Sequence, residues 1–579
     1  MGPRSAPPKF PRDATFIYRA YLADTLVKLI GDHIDADLVY DAIQTPSTLV
    51  NGDLVLPPTT TGIHLPFFFT LLPLPRLLLP YIFDWQGSYG KTLDVGLRNP
   101  STPQLGRKKV IVEFSSPNIA KEFHAGHLRS TIIGAYISNL YESMGWEVVK
   151  LNYLGDWGKQ FGLLAVGWER FGSEEELARD PLKHLLDIYV RINTLFKPEA
   201  EASKRARDEG RDTAEIESQG LYAERNAFFR RMEDGEPEAV ALWRRFRDIS
   251  IERYVSTYTR LNISFDEYSG ESQVQPASAE AVEKLLKEKG VYEEDKGSWV
   301  IDFEKHGSKG LGVAVVRGRT GTTTYLLRDV AAVLEREEKH AFDKMIYVVS
   351  SEQDLYFRRV FKTLEFAGRA DLAARLQHVN FGSDILDQSS TAMHDVMRRN
   401  TAKYAQIDDP DTVAESVGIT AVMVQDMSGK RINNYPFDIA RMTSFEGDTG
   451  PYLQHCHARL NSILRKAGLT RADLAQHLAD NLDRLAADLA DKQHCVDLLR
   501  LMAQYPDVTA TVLRNLEPST VRTYLFRLAH QLSSCYDVVQ VVGANEGRDV
   551  MLSRAALYEG ARQVLENGMR LLGFSPVER

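Results

Sequence analysis

Residues 110–134, VIVEFSSPNIAKEFHAGHLRSTIIG, decide the fold of this 579-residue chain. The stretch opens with the apolar run Val110–Glu113, passes through a polar loop, and reaches the tetrapeptide HAGH (124–127). Apolar residues then recur at a spacing of four, which predicts a helix over Leu128–Met144, and Val148–Leu151 reads as the next strand. A strand, a crossover helix and a second strand form a βαβ unit, so the sequence predicts an α/β fold with a parallel sheet.

The HAGH tetrapeptide stands where a helix begins, and that position suits a phosphate. The first backbone N–H groups of a helix lack internal partners, and the helix dipole favours an anion there. Gly126 lets a nucleotide approach the backbone, and His124 and His127 can donate hydrogen bonds to phosphoryl oxygens as charge develops. Two surface histidines near a helix start would show the same pattern, so the tetrapeptide alone is weak evidence.

Two further blocks accompany it in chain order, NYLGDWGKQFG (152–162) and SFEGDTGPY (444–452). Together the three blocks resemble the class I aminoacyl-tRNA synthetases, and specifically the arginyl-tRNA synthetases of the eukaryotic, fungal cytoplasmic type. The resemblance implies a Rossmann-like catalytic domain with a parallel sheet and insertions. An α+β domain would precede it and an all-α anticodon-binding domain would follow. The implied activity is ATP-dependent attachment of L-arginine to tRNA(Arg) through arginyl-adenylate.

The resemblance also assigns site residues. Binding of ATP is expected from Lys121, His124, Gly126 and His127, with Lys121, His124 and His127 catalytic. Binding of arginine is expected from six residues: Glu113, Ser116, Asn118, Tyr325, Asp329 and Gln353. A guanidinium group needs planar carboxylate acceptors, which agrees with Glu113 and Asp329, although both could instead be ordinary salt-bridged acids. In the helical region, Tyr452, Arg459 and Tyr536 are expected to contact tRNA, and either tyrosine could instead be core.

Bulk properties are those of an ordinary globular protein, with 44% hydrophobic and 26% charged residues and a net charge of -9. Three separated cysteines predict a reducing compartment, no disulfide framework and no protein metal site; Mg²⁺ is expected only with ATP. The apolar run Leu65–Phe83 contains four prolines and an arginine, so we expect no membrane span. We expect a cytoplasmic monomer, with dual targeting to mitochondria a less favoured alternative.

Three domains are predicted. Residues 1–100 would form a truncated N-terminal domain that contacts tRNA, and residues 101–400 the catalytic domain. The catalytic domain would carry a helical insertion at about 170–265 and a smaller one at about 272–322. Residues 401–579 would form the anticodon-binding domain, with helices over Leu453–Ala467, Cys495–Ala510, Val521–Val538 and Arg554–Leu572.

The chain departs from the family pattern in two places. Gly382 runs directly into Ser383, whereas the family carries there a second ATP-binding loop, a variant of the KMSKS motif. The N-terminal domain is also shortened after Leu56, and we expect the shortening to remove its core. Intact sequence on both sides of each gap favours a splicing or gene-model error. The alternatives to an active synthetase are a catalytically impaired isoform or gene-model variant that still binds tRNA and, less favoured, a small-molecule adenylyltransferase.

Overall fold

The computed structural model describes residues 14–30, 35–46, 49–56, 65–121, 123–295, 297–318, 323–382, 410–435, 438–543 and 546–578. The chain divides into two compact units. One comprises Met1–Lys108, Ala135–Val148 and Asp384–Arg579, and the other comprises Lys109–Gly134 and Val149–Ser383. The three-domain division expected from the sequence stays a prediction.

A five-stranded sheet organises the second unit. Its strands lie in the order Leu376–Phe381, Lys344–Ser350, Lys109–Glu113, Glu147–Leu154 and Glu267–Gly270. The registers given for this sheet are parallel, with Glu113 opposite Tyr347 and Leu154 opposite Gly270. The predicted parallel sheet and the βαβ unit with its helix, Ala125–Ser143, are therefore confirmed.

The sheet is buried because its central strands are continuous apolar runs. Val110, Ile111 and Val112 are fully buried, as expected for a strand covered on both faces. One face packs against the helices Pro276–Glu288, Tyr325–His340 and Asp354–Phe366, and the shared core includes Ile111, Leu327, Val330, Val333, Met345, Val360 and Leu364. A short helix, Ala370–Ala373, precedes the strand Leu376–Phe381.

Two insertions interrupt the sheet. The first is helical, with Lys159–Phe171, Glu174–Arg179, Pro181–Asp208, Ala214–Glu217, Gly220–Glu233 and Pro237–Arg260. The second contains an antiparallel sheet of Glu293–Asp295, Ser298–Asp302 and Val313–Arg317. The helical character predicted for the first insertion is confirmed.

The described part of the other unit downstream of residue 409 is helical, as predicted. Its helices are Pro410–Asp426, Ile439–Met442, Gly450–Ala467, Arg471–Asp480, Leu482–Ala490, Gln493–Ala503, Tyr505–Asn515, Pro518–Val538 and Arg548–Leu571. The prediction of one helix over Cys495–Ala510 is wrong, because the chain ends one helix at Ala503 and begins another at Tyr505. Pro506 lies at the start of the second helix, where its missing N–H needs no helical partner.

The N-terminal part retains a small core, so the expectation that shortening removes it is wrong. The helices Ala14–Ile30 and Ala36–Ala42 pack on the antiparallel pair Leu54–Leu56 and Leu65–Phe67, and the buried members are Ala23, Leu26, Val39, Ile43 and Leu54. The remainder of the proline-rich apolar run enters the helix Pro73–Trp85. Within the described ranges no helix is long and apolar enough to cross a membrane.

Candidate active site

Several candidate site residues lie in loops that leave the carboxyl ends of the sheet strands. Ser116 and Asn118 follow Lys109–Glu113, and Gln353 follows Lys344–Ser350 in a short 3-10 turn. Ligands of open parallel sheets bind at this edge, because consecutive loops meet there. The strand Glu267–Gly270 adds a residue that the sequence analysis missed, Glu271.

The loop between the first strand and the HAGH helix has a constrained backbone. Ser115, Ser116 and Ala120 adopt φ values of +69°, +46° and +60°, a region that non-glycine residues enter only at a cost of about 1–3 kcal/mol each. The helix Pro237–Arg260 holds the loop in place. The Tyr254 hydroxyl donates to the carbonyls of Asn118 and Lys121 at 2.8 and 2.6 Å, so the helical insertion fixes the position of two predicted site residues.

The Asn118 side chain lies against Gly155, which follows the neighbouring strand. A Cβ added at Gly155 would lie 2.0 Å from the Asn118 amide oxygen, so only glycine leaves room for this side chain. The backbones also meet, since the Ile119 N–H donates to the Gly155 carbonyl at 3.2 Å. The next residue, Asp156, is fully buried and accepts from Arg247 and Ser272, which makes it part of a structural corner.

The two histidines of HAGH stack on each other, with ring centroids 3.6 Å apart. Nδ1 of His124 accepts the Gly126 N–H at 3.2 Å, and Nδ1 of His127 accepts the His124 N–H at 3.4 Å. A nitrogen that accepts carries no proton, so both neutral rings bear their proton on Nε2. The pair therefore presents two N–H donors beside the helix N-terminus, which is the arrangement a polyphosphate needs.

Both imidazoles are held neutral near pH 7. Burial, with the nearby charges of His124 and Lys121, lowers the pKa of His127 to about 3. Burial and the Lys121 ammonium also lower the pKa of His124. A phosphate bound there would offset the Lys121 charge and so raise the pKa values of both histidines.

Three carboxylates of the same unit, Glu113, Glu271 and Asp329, lie close enough for their charges to interact. Burial raises the pKa of Glu113 to about 7 and that of Glu271 to about 8, and burial also raises the pKa of Asp329. Asp329 adds its negative charge to the field at both glutamates, and the Tyr356 hydroxyl donates to it. Such a concentration of buried acids is costly without a cation and is typical of a site that binds one.

Two arginines of one helix already pair two of these acids. Arg336 contacts Glu113 at 2.7 Å, and Arg328 contacts Glu271 at 3.4 Å. Glu113 is therefore a salt-bridged acid, which is one of the two roles considered for it above. Within the described residues, no arginine forms an ion pair with Asp329. The positions of Glu271 and Arg336 had no signal in the sequence beyond their being charged.

The remaining predicted arginine-binding residues lie around these acids. Tyr325 begins the helix that carries Asp329 and is 53% exposed. Gln353 is exposed and precedes the helix that supplies Tyr356. The oxygen of Ser116 donates to the Phe114 carbonyl at 3.4 Å, so Ser116 lies within the constrained loop.

The predicted tRNA-contacting residues meet on the helical unit. The Arg459 guanidinium lies 3.7 Å from the centre of the Tyr536 ring, a cation–π contact between the helices Gly450–Ala467 and Pro518–Val538. Tyr452 lies about two turns before Arg459 on the first helix, and its hydroxyl forms a hydrogen bond with Ser533 at 3.0 Å. All three side chains are half-buried, so each leaves a part accessible to a nucleic acid.

A parallel sheet with HAGH at its first crossover helix is typical of the class I aminoacyl-tRNA synthetases. The family model described as "tRNA synthetases class I (R), catalytic domain" matches residues 98–439, and the "DALR anticodon binding domain" matches residues 453–579. The chain belongs to the arginyl-tRNA synthetases. It is 46% identical to "Arginine--tRNA ligase, cytoplasmic" of Saccharomyces cerevisiae, over 97% of this chain and 94% of that protein. It is 40% identical to "Arginine--tRNA ligase, mitochondrial" of the same organism, over 99% and 90%.

Solved structures agree on the fold. The arginyl-tRNA synthetase of Plasmodium falciparum superposes with a TM-score of 0.69 at 21% identity, covering 97% of this chain and 92% of that one. The Thermus thermophilus enzyme gives 0.68 at 21% identity, with 97% and 91% covered. The alignment with the yeast cytoplasmic relative spans 609 positions and this chain has 579 residues, so that relative has residues without a counterpart here.

Proposed function

We propose that this chain attaches L-arginine to tRNA(Arg) at the expense of ATP. The observation that carries the proposal is that one compact unit holds both a cluster of interacting buried acids and the stacked His124–His127 pair at a helix N-terminus. Asp329 and Glu271 suit a guanidinium group. The His124–His127 pair suits the phosphates of a nucleotide.

The chemistry needs no protein nucleophile. The arginine carboxylate attacks the α-phosphate of ATP, the bond to pyrophosphate breaks, and arginyl-adenylate forms. The terminal ribose hydroxyl of the tRNA then attacks the arginyl carbonyl and AMP leaves. His124, His127 and Lys121 stabilise the charge that develops on the phosphoryl oxygens, while Asn118, Ser116, Tyr325 and Gln353 orient the amino acid.

Several finer assignments belong to the same proposal. ATP enters as its Mg²⁺ complex; among the residues that the structure describes, no group of three acidic, histidine or cysteine side chains could hold a metal ion of its own. Tyr452, Arg459 and Tyr536 contact the tRNA. The protein acts as a cytoplasmic monomer, which the cytoplasmic yeast relative supports for the compartment.

The second candidate function is tRNA binding without turnover. It is motivated by the junction of Gly382 with Ser383, where the family's second ATP-binding loop is absent from the sequence. Ser383 and the neighbouring Ser389–Thr391 lie outside the described residues. Loss of a single transition-state donor typically costs about 10²–10³ in rate, so loss of the loop would cost at least that much unless Lys121 compensates.

Charging of tRNA(Arg) by the 579-residue protein, with arginine, ATP and Mg²⁺, separates the two candidates. Charging that disappears in the His124→Ala/His127→Ala variant supports catalysis at the proposed site. Absence of charging together with tight tRNA binding supports the second candidate, and insertion of the family loop after Gly382 should then restore the reaction. Sequencing of cDNA across the junction tests the gene-model hypothesis, which a genuine Gly382–Ser383 junction would exclude.

A further inference from the structure

Two of the three cysteines meet in the core of the helical unit. The Sγ atoms of Cys495 and Cys535 lie 4.0 Å apart, and both side chains are fully buried. Cys495 is the third residue of the helix Gln493–Ala503, and Cys535 lies in the last turn of the helix Pro518–Val538. The two thiols therefore connect neighbouring helices, and neither takes part in the proposed transfer of arginine.

The surroundings activate Cys535 rather than Cys495. The Tyr558 hydroxyl, which also faces the Val539 carbonyl at 2.7 Å, lies 3.6 Å from the Cys535 sulfur and can donate to it. The hydrogen bond from Cys495 lowers the pKa of Cys535 against the opposing effect of burial, and the Tyr558 hydroxyl and the Arg554 cation lower it further. The same thiol–thiol hydrogen bond raises the pKa of Cys495. Because the thiolate is the form that attacks an oxidant, Cys535 is the expected nucleophile of the pair.

The third cysteine, Cys456, provides an internal comparison. Burial raises the pKa of Cys456 to about 12. Within the part of the chain that the structure describes, no contact joins it to another thiol. A buried thiol without activating neighbours is inert, so an oxidant that distinguishes the pair from Cys456 reports on the arrangement of the pair.

Both members of the pair lie close to a helix end. Two residues precede Cys495 in its helix, and three residues follow Cys535 in its helix. Their sequence neighbours His494 and Asp537 are exposed. The terminal turns of helices open at a lower free-energy cost than the rest of a core, so a small oxidant can reach these thiols without global unfolding.

We propose that Cys495 and Cys535 are an oxidisable dithiol, a modification site that a peroxide converts to a disulfide. The Cys535 thiolate attacks one oxygen of hydrogen peroxide, the O–O bond breaks, and a sulfenic acid forms while hydroxide leaves and takes up the proton of the former thiol. The Cys495 thiol then attacks the sulfenic sulfur, the S–O bond breaks, and the oxygen leaves as water. Two thiols and one hydrogen peroxide thus give one disulfide and two water molecules.

The disulfide should also disturb the side chains proposed to contact tRNA, and this consequence rests on the proposed function. A sulfur–sulfur bond is about 2 Å long, so the two sulfurs must approach each other by about 2 Å. Tyr536 directly follows Cys535, and the Arg459 guanidinium lies 3.7 Å from the centre of its ring. A shift of this helix end changes that contact, so we expect tRNA(Arg) to bind about three- to tenfold more weakly to the oxidised chain.

The test is oxidation of the full chain by hydrogen peroxide, followed by intact mass and by peptide mapping without reduction. We expect the loss of two hydrogen atoms and one bond between the peptides that carry Cys495 and Cys535. Dithiothreitol should restore both thiols, and Cys456 should stay reduced throughout. The variant Cys456→Ser is the matched control and should form the same bond.

Trapping with dimedone, which reacts with sulfenic acids, assigns the order of the two steps. In Cys495→Ser no second thiol can resolve the sulfenic acid, so dimedone should label Cys535. In Cys535→Ser we expect no label on Cys495, and a label there would overturn the assigned order. Thermal unfolding identifies any variant that fails to fold, and the mass measurement on the unmodified chain does not depend on the variants.

A chain that keeps its thiols in peroxide, forms bonds only between molecules, or links Cys456 would overturn the proposal. Binding of tRNA(Arg) to the reduced, oxidised and re-reduced chain tests the consequence. Equal affinity in all three states would overturn the link to Tyr536 and Arg459. A reduced chain that binds no tRNA would overturn the proposed tRNA contacts and the expected loss of affinity, while the disulfide itself would stand on the mass measurement.

Discussion

Substituting alanine for Gly155 should weaken arginine binding by displacing Asn118, although Gly155 itself is not among the residues proposed to contact the substrate. The added Cβ would lie 2.0 Å from the Asn118 amide oxygen, whereas a carbon–oxygen contact needs about 3.3 Å. The amide must therefore move by roughly 1 Å. Displacements of this size in a binding site cost up to about 10²-fold, and loss of one hydrogen bond alone costs up to about tenfold. We expect L-arginine to bind between ten and a hundred times more weakly.

The backbone of Gly155 makes this a clean perturbation. Its φ lies outside the left-handed region, so alanine adds no backbone strain, and overpacking should cost about 1–3 kcal/mol of stability. Gly87→Ala is the matched control, since no heavy atom lies within 4 Å of its added Cβ. Calorimetric titration with L-arginine measures the effect, and Asn118→Ala completes a double-mutant cycle. Unchanged affinity in Gly155→Ala, or losses that simply add in the double variant, would refute the idea that Gly155→Ala acts by displacing Asn118.

Three further predictions follow from the site and the helical unit. Binding of L-arginine at pH 7 should release protons, because the arriving guanidinium lowers the pKa values of Glu113, about 7, and Glu271, about 8. Calorimetric titrations in buffers of different ionisation enthalpy measure the protons released. Equal binding heats in all buffers would contradict this prediction. The chain should lose about 1–2 kcal/mol of stability between pH 7 and pH 5 through His127, because the pKa of His127 is about 3 in the folded state and 6.5 in the unfolded state, so that only the unfolded state binds the proton in that window. In urea unfolding, the His127→Asn variant should lose less stability over the same pH range. An identical loss in the variant would argue against the lowered pKa. Arg459→Gln should weaken tRNA binding and reduce the slope of log affinity against log salt by about one, whereas an unchanged slope would place Arg459 away from the phosphates.

The parts of this fold that the sequence predicted are those in which local pattern and burial coincide. The first strand is a continuous apolar run, and the helix after HAGH repeats apolar residues every four positions. In each case the local spacing of apolar residues is enough to predict the type of element. The apolar pattern did not predict the end of the helix near Gln504, because apolar residues continue on both sides of that position. A change of helix direction alters which side chains of other elements those residues contact. The periodicity of apolar residues along the chain carries no information about such contacts.

The candidate site shows the same division. HAGH, Asn118 and Asp329 were found because short motifs carry them, and motif spacing is local. Glu271 and Arg336 were missed because each stands in an ordinary charged stretch, and Arg336 in particular lies within EREEKH, which reads as a solvated helix face. Its burial depends on the register of a helix against a strand more than 200 positions away in sequence. Only the folded arrangement shows that Glu113 is already paired with an arginine.

Substrate selection and turnover are physically separable in this chain. The residues proposed to hold arginine, and the His124–His127 pair, all precede Gly382 and lie on one compact unit. Their positions are fixed by contacts within that unit, including Tyr254 on the loop and Arg336 on Glu113. The missing loop would act on the departing pyrophosphate, a step that begins only after arginine and ATP are bound. The absence of the loop should therefore lower the rate of the chemical step and leave the geometry of the residues proposed to bind arginine unchanged.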